Sequence, residues 1–147
     1  AKCVRILGDQ HEAEDAVQNT FLNAYGWLAK SRRAHPSPLA WLYCIATNAS
    51  LKILRTRRRK GTASLEEPDR VEGVSKDIIQ SMALRTALDT LAEELDDRSL
   101  QIVVAHFIDG VPQGEIAKAL GISRRAVVKR LAKVRGRVGE LLEMKDP

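Results

Sequence analysis

The chain has 147 residues, enough for one medium domain or two small ones. Hydrophobic residues make up 44% and aromatics only 4%, with nine Gly and five Pro; this mix excludes wholesale disorder and favours helices. The net charge of +5 is laid out unevenly: residues 1–60 carry +7, residues 61–110 carry −7 and residues 111–147 carry +5, so two basic ends suited to a polyanion flank an acidic middle that would avoid one.

"GDQHEAEDAVQNTFLNAYGWLAK" opens with a start signal, because Asp9 followed by Glu12 fits a capping box in its D-x-x-E form. Val17, Phe21, Ala24 and Leu28 then recur at helical spacing. "SRRAHPSP" (31–38) reads as a loop, and Ser37-Pro38 as an N-cap followed by Pro at the first helical position. The next helix runs through "LAWLYCIATNASLKILRTRRRK", with Leu39, Leu42, Ala46, Ala49 and Ile53 as its expected buried stripe. Residues 61–74, "GTASLEEPDRVEGV", are the linker candidate. Ile78, Met82, Leu88, Leu91 and Leu95 share one face of a following helix. "DDRSLQIVVAHFIDG" predicts another, capped by Asp96 or Asp97 and stopped at Gly110. "PQGEIAKALG" starts with Pro112 and ends at Gly121, and a last helix runs from Ser123 to about Leu142. No stretch reads as a strand, a repeat or a low-complexity tract. The expected fold class is all-α: two small helical domains, 1–60 and 75–147, joined by a flexible acidic linker over 61–74.

Residues 113–132 fit a helix-turn-helix. Ala117 is small where two helices must cross, Gly121 can take the left-handed conformation of the turn, and Ile116, Leu120, Ile122, Val127 and Leu131 close a core. Ser123 would cap the second helix, which places Arg124 and Arg125 in a first turn where the helix dipole disfavours cations. DNA explains that placement, since the first turn of such a helix meets base edges in the major groove. Lys129 and Lys133 continue the Arg125 face; the bland alternative is a solvated basic helix.

"KILRTRRRK" (52–60) packs Lys52, Arg55, Arg57, Arg58, Arg59 and Lys60 into nine residues, and a polyanion would relieve their repulsion. Trp41 and Tyr43 lie upstream on the same helix, where aromatics beside cations suit unstacked bases; a core role for Trp41 competes with this. "HEAED" (11–15) lacks the second His of a metalloprotease helix, and its carboxylates are explained by the dipole of a first turn. His35 and His106 read as loop and packing residues. No phosphate loop or nucleophile elbow is present, so the expectation is no enzyme, no cofactor, no metal and no small-molecule substrate. No run of about 18 apolar residues predicts membrane insertion. The chain opens at Ala1 in mid-pattern, without a charged-then-apolar leader or an initiator Met, as a trimmed chain would. Cys3 and Cys44 form no CxxC and read as reduced thiols of a cytosolic protein.

"RILGDQHEAEDAVQNTFLNAY", "WLYCIATNASLKILRTRRRK" and "EIAKALGISRRAVVKRLAKVR", in this order, resemble a bacterial RNA polymerase sigma factor of the extracytoplasmic-function (ECF) class. The resemblance covers nearly the whole chain, its first two segments looking like region 2 and its third like region 4. It implies that the AED-x-x-Q-x-x-F pattern, with Glu14, Asp15, Gln18 and Phe21, docks on the clamp helices of the polymerase β′ subunit. It implies that the loop 31–38 and the helix from Trp41 to Lys60 recognise and open the −10 element, with Asn48 (the asparagine of WL-x-x-IA-x-N) near a flipped base. Lys52, Arg55, Arg57 and Arg58 would hold the DNA backbone. The helix-turn-helix would read the −35 element, with Arg130 matching an arginine of the family's recognition helix. The acidic linker would thread toward the RNA exit path. An anti-sigma partner, often membrane-tethered, is also implied, with work at the nucleoid. The family often has Arg where Cys44 and Thr47 stand, Asp where Lys52 stands, and Gly-Thr-Val where Arg125, Ala126 and Val127 stand, so a promoter sequence does not carry over. Two other readings remain open on the residues alone. One is a stand-alone dimeric helix-turn-helix regulator. The other is a nucleic-acid-processing metalloenzyme using Glu12, Glu14 and Asp15. The sequence also leaves open whether the two halves pack with their DNA faces hidden or move freely.

Overall fold

The computed structural model describes residues 2–60 and 76–143, apart from the side chains of Arg58, 76–82 and 142–143. The expected linker, 61–74, and the side chains of Ile78 and Met82 therefore lie outside the described residues. Among the described residues seven α-helices follow in order: α1 (Lys2–Leu7), α2 (Gln10–Ser31), α3 (Pro38–Arg59), α4 (Lys76–Glu94), α5 (Asp97–Val103), α6 (Gln113–Leu120) and α7 (Arg124–Glu143). There is no strand among the described residues.

The local signals explain most ends. Asp9 is extended, and its carboxylate accepts from the Glu12 N–H at 2.9 Å, making one arm of the capping box. The other arm is absent, because the Glu12 carboxylate pairs with Arg57 of α3 instead. Pro38 opens α3 as expected. Ser37 does not cap with its hydroxyl, which donates to the Glu115 carboxylate far along the chain. The helix expected to run to Gly110 is α5 followed by a single π turn over Val104–Ile108. Gly110 and Gly121 both sit at φ 67°, a left-handed conformation that glycine adopts without strain and that turns the chain into α6 and out of it. Ser123 Oγ accepts from the Ala126 N–H at 3.1 Å and starts α7.

Two apolar clusters hold the helices, and both draw on both halves of the chain. The first joins Ile6 and Leu7 of α1, Ala13 and Ala16 of α2, and Leu51 and Leu54 of α3 to Leu88, Leu91, Leu100, Val134 and Val138. The second joins Ala40 and Cys44 of α3 to Ile102, Ile116, Ala117, Val127 and Leu131. The two halves thus pack on one another.

This packing shows which side of α2 is inside and corrects the expected stripe of α3. On α2 the buried side is small, with Ala13, Ala16, Thr20 and Ala24 inside, while Val17, Phe21 and Leu28 are exposed. Small residues let α2 lie close on α3, because side-chain size at the contact sets the distance between helices. On α3 the expected stripe is only partly inside: Ala49 is buried, Leu42, Ala46 and Ile53 are half-buried, and Leu39 is 64% exposed. The buried set is instead Ala40, Cys44, Thr47, Ala49, Ser50, Leu51 and Leu54, which spans more than one face because α1 and α2 cover one side and α6 another.

Candidate functional site

The helix-turn-helix has its expected core. Ile116, Ala117, Val127 and Leu131 are buried, and Leu120 and Ile122 pack against them. That core fixes which residues of α7 face outward. Arg124, Arg125, Lys129 and Lys133 are exposed and, among the described residues, no acidic residue shares the first turn. Arg130 behaves differently. Its guanidinium donates to Asp96 at 2.9 Å and to Ser99 at 3.0 Å, tying α7 to the start of α5. The Ser99 hydroxyl first, and Arg130 second, hold the Asp96 carboxyl below its ordinary range. Nearby, Arg98 donates to the Leu120 carbonyl at 3.1 Å and closes the end of α6. Neither role was visible in the sequence, since each joins residues on different helices.

The basic run on α3 is divided. Lys52, Arg59 and Lys60 are exposed. Arg55 pairs with Asp97, and Arg57 pairs with Glu12 and donates to the Leu7 carbonyl at 3.1 Å. The side chain of Arg58 lies outside the described residues. A polar groove of about 550 Å³ runs between α2 and α3, lined by Asn19, Asn23, Asn48, Lys52, Thr56 and Lys60. Its amides offer both donors and acceptors, and its cations suit phosphates. Asn19 and Asn23 were not singled out from sequence; their i, i+4 spacing on the side of α2 facing Asn48 was the available signal. Trp41 is half-buried and belongs to an aromatic stack. Its ring lies 4.8 Å from His35, parallel within 1°, and 5.0 Å from Trp27. His35 Nδ1 accepts from the Ser37 N–H at 3.0 Å, which fixes the loop 31–38 against the stack.

The third surface lies on α2. Glu14, Asp15, Gln18 and Phe21 line one open groove of about 1040 Å³ with Leu22 and Leu39. Phe21 is 62% exposed, Leu22 64% and the neighbouring Tyr25 74%. Exposed apolar side chains of this size, gathered beside carboxylates, mark a surface made for a partner. Leu22, Tyr25 and Leu39 were missed because an amphipathic reading puts large apolar residues inside.

Among the described residues no group of His, Cys, Asp or Glu could hold a metal ion, so "HEAED" (11–15) gathers no ligand set. His106 lies edge-on to Phe107, with ring centroids 4.8 Å apart. Both cysteines are free and buried, and burial pushes the Cys44 thiol up to about 11. No helix among the described residues is long and apolar enough to cross a membrane.

Comparison with known proteins gives the family. Residues 1–60 match the family model for Sigma-70 region 2, and residues 85–138 match Sigma-70, region 4. The ECF RNA polymerase sigma factor SigW of Bacillus subtilis is 31% identical, over 98% of this chain and 81% of that protein. The RNA polymerase sigma factor CnrH of Cupriavidus metallidurans is 30% identical, over 97% of this chain and 80% of that protein. The ECF RNA polymerase sigma factor SigM of Mycobacterium tuberculosis is 31% identical, over 89% of this chain and 64% of that protein. A region 2 followed by a region 4 is the make-up of a transcription initiation factor. The chain belongs to the ECF family of RNA polymerase sigma factors, non-enzymatic initiation factors that bind core RNA polymerase and promoter DNA and direct promoter-specific initiation.

Proposed function

We propose that the three surfaces divide the work of initiation. The α2 groove takes the β′ clamp helices: Phe21, Leu22 and Leu39 bury apolar area, while Glu14, Asp15 and Gln18 fix the register of the contact. The observation that carries this reading is that all four residues expected at the polymerase contact line one exposed apolar groove. On α3, Trp41, Asn48 and Lys52 face the −10 element, with Asn19 and Asn23 as further partners for an unpaired base in the polar groove. Arg55, Arg57 and Arg58 are the further backbone contacts assigned to this segment. On α7, Ser123, Arg124, Arg125, Lys129 and Lys133 face the −35 element, and Arg130 acts by holding the helix in place. An anti-sigma factor that filled the α2 groove would compete with polymerase. The place of work is the cytoplasm, at the nucleoid, where polymerase and promoter meet.

A pull-down with bacterial core polymerase, using the intact chain and the Asp15→Arg, Gln18→Ala double variant, tests the reading. Both residues are exposed, so the fold is expected to survive and binding to fall by at least about tenfold, the loss of about 1.4 kcal/mol or more. Equal binding by the two chains removes this groove from the polymerase interface. A free-standing regulator would need no such groove.

A further inference from the structure

Helices α2 and α3 are joined by a short loop, and one side chain of that loop touches both of them. His35 lies against Trp41 of α3 with parallel rings 4.8 Å apart, and against Trp27 of α2 at 5.3 Å. The two tryptophans are themselves 5.0 Å apart. Ring centroids at these separations attract one another beyond the area they bury. The three rings form a closed triangle drawn from two helices and the loop between them.

The backbone is tied along the same line. His35 Nδ1 accepts from the Ser37 N–H at 3.0 Å, and the Ser37 carbonyl accepts from the Trp41 N–H at 3.0 Å. At the other end Arg32, at φ 53°, donates its N–H to the Leu28 carbonyl at 3.0 Å. A non-glycine residue keeps this left-handed conformation only where its surroundings hold it. Arg32, Arg33, Ala34 and Pro36 are exposed, whereas His35 is half-buried, so the imidazole ties the middle of the loop to the helices. All of these contacts lie within residues 27–41 and need nothing from the C-terminal half.

We propose that His35 is the positioning residue of the loop 31–38: its ring, set against Trp27 and Trp41, and its Nδ1 hold the loop and the Trp41 ring in one arrangement, and this sets how sharply the chain discriminates among −10 sequences. This rests on the assignment of Trp41 and its helix to the −10 element. A Trp41 ring held in advance presents a fixed surface to an unstacked base and loses little freedom when the base arrives. A freed ring and loop can repack around several bases, and surfaces that repack are promiscuous. The effect therefore falls on selectivity at the −10 element and spares the α2 groove and the recognition helix.

The test loads core polymerase with the full chain and gives it a promoter pool with randomised −35 and −10 positions, and the transcripts are sequenced. His35→Ala is expected to lose about tenfold or more of the preference for the best −10 sequence, the size of one mismatched base. Its −35 preference and its binding to core polymerase are expected to stay unchanged. Trp27→Leu removes the opposite wall of the triangle without touching a residue assigned to DNA, and is expected to flatten the −10 preference in the same way. Two variants divide the role of His35. His35→Phe keeps a ring and loses the acceptor, while His35→Asn keeps an acceptor for the Ser37 N–H and loses the ring. Each is expected to recover part of what His35→Ala loses. Trp27 and Trp41 are the two tryptophans of the chain, so tryptophan fluorescence reports on the triangle alone. In His35→Ala the emission should shift to the red and become easier to quench with acrylamide, with helical circular dichroism retained. An unchanged −10 preference in His35→Ala overturns the proposal, as does an equal loss at the −35 element, which would mark a general loss of fold. Loss in all three His35 variants beside an unaffected Trp27→Leu would make His35 itself a base contact and overturns positioning. A parent chain with no −10 preference refutes instead the assignment of α3, and the fluorescence still decides whether His35 holds the rings together.

Discussion

Arg125 and Arg130 occupy the same helix and the same basic run, and their surroundings give them different jobs. Arg125 is exposed in the first turn of α7, where the dipole disfavours it and DNA would reward it. Arg130 is held by Asp96 and Ser99. Arg125→Ala is expected to weaken binding to one −35 sequence by about 1–3 kcal/mol, with no change in thermal stability, if the side chain reads a base. A uniform loss across sequences, measured by fluorescence anisotropy on a panel of duplexes, would make it a phosphate contact. Arg130→Ala should act on the fold: about 1 kcal/mol or less of stability is expected to go, as suits a partly exposed pair, with a lower melting temperature by circular dichroism. The sequence alone placed both arginines on the recognition helix and could not separate them. The separation depends on Asp96, whose position relative to α7 is set by the whole C-terminal half.

Helices α6 and α7 were legible from sequence, and α2 and α3 only in part, for a physical reason. The helix-turn-helix is a local unit in which Ala117, Gly121 and Val127 meet conditions imposed within some twenty residues of each other. The stretch of α2 carries no such local constraint. Its large apolar residues recur at helical spacing, which normally marks the inner face, yet Phe21, Leu22 and Tyr25 point outward and Ala13, Ala16, Thr20 and Ala24 point in. The inversion makes sense only once a partner is considered, because an exposed apolar face on a chain of this size signals a docking surface. Two substitutions separate the faces. Ile116→Ala, at a fully buried side chain shared by α6 and the α3 contact, is expected to cost about 2–5 kcal/mol. Tyr25→Ser, on the exposed face of α2, is expected to stay within about 0.5 kcal/mol. Urea unfolding followed by circular dichroism checks both, and a large loss from Tyr25→Ser would mean that α2 is turned the other way.

At the scale of the molecule, the fold class and the order of region 2 and region 4 were legible, and the seating of one half on the other was not. That seating depends on matched surfaces far apart in sequence, such as Cys44 with Ala119 and Ser37 with Glu115. Several carboxylates stitch the helices of the C-terminal half together or join it to α3, and their protonation sets the pH dependence of the assembly. Glu94 forms a two-pronged pair with Arg137 of α7, whose hydrogen bonds hold its carboxyl below the ordinary 4.5. Glu115 is held below 4.5 by the Ser37 hydroxyl first and Lys118 second, and Asp96 below 3.8 by Ser99 and then Arg130. A carboxyl whose value is lower in the folded chain than in the unfolded one binds protons more readily after unfolding. Its contribution is therefore complete above the unfolded value and is lost as the pH falls through the folded one. The melting temperature is expected to decline once the pH drops below about 4.5, where the unfolded glutamates begin to take up protons. All three groups lie at the surface, so salt should shrink the effect. Melting curves across that window, for the parent chain and for Glu94→Gln, Glu115→Gln, check the assignment. The double variant should begin from a lower melting temperature at neutral pH and show a shallower decline. An unchanged slope in the variant would place the acid sensitivity of the fold on other groups.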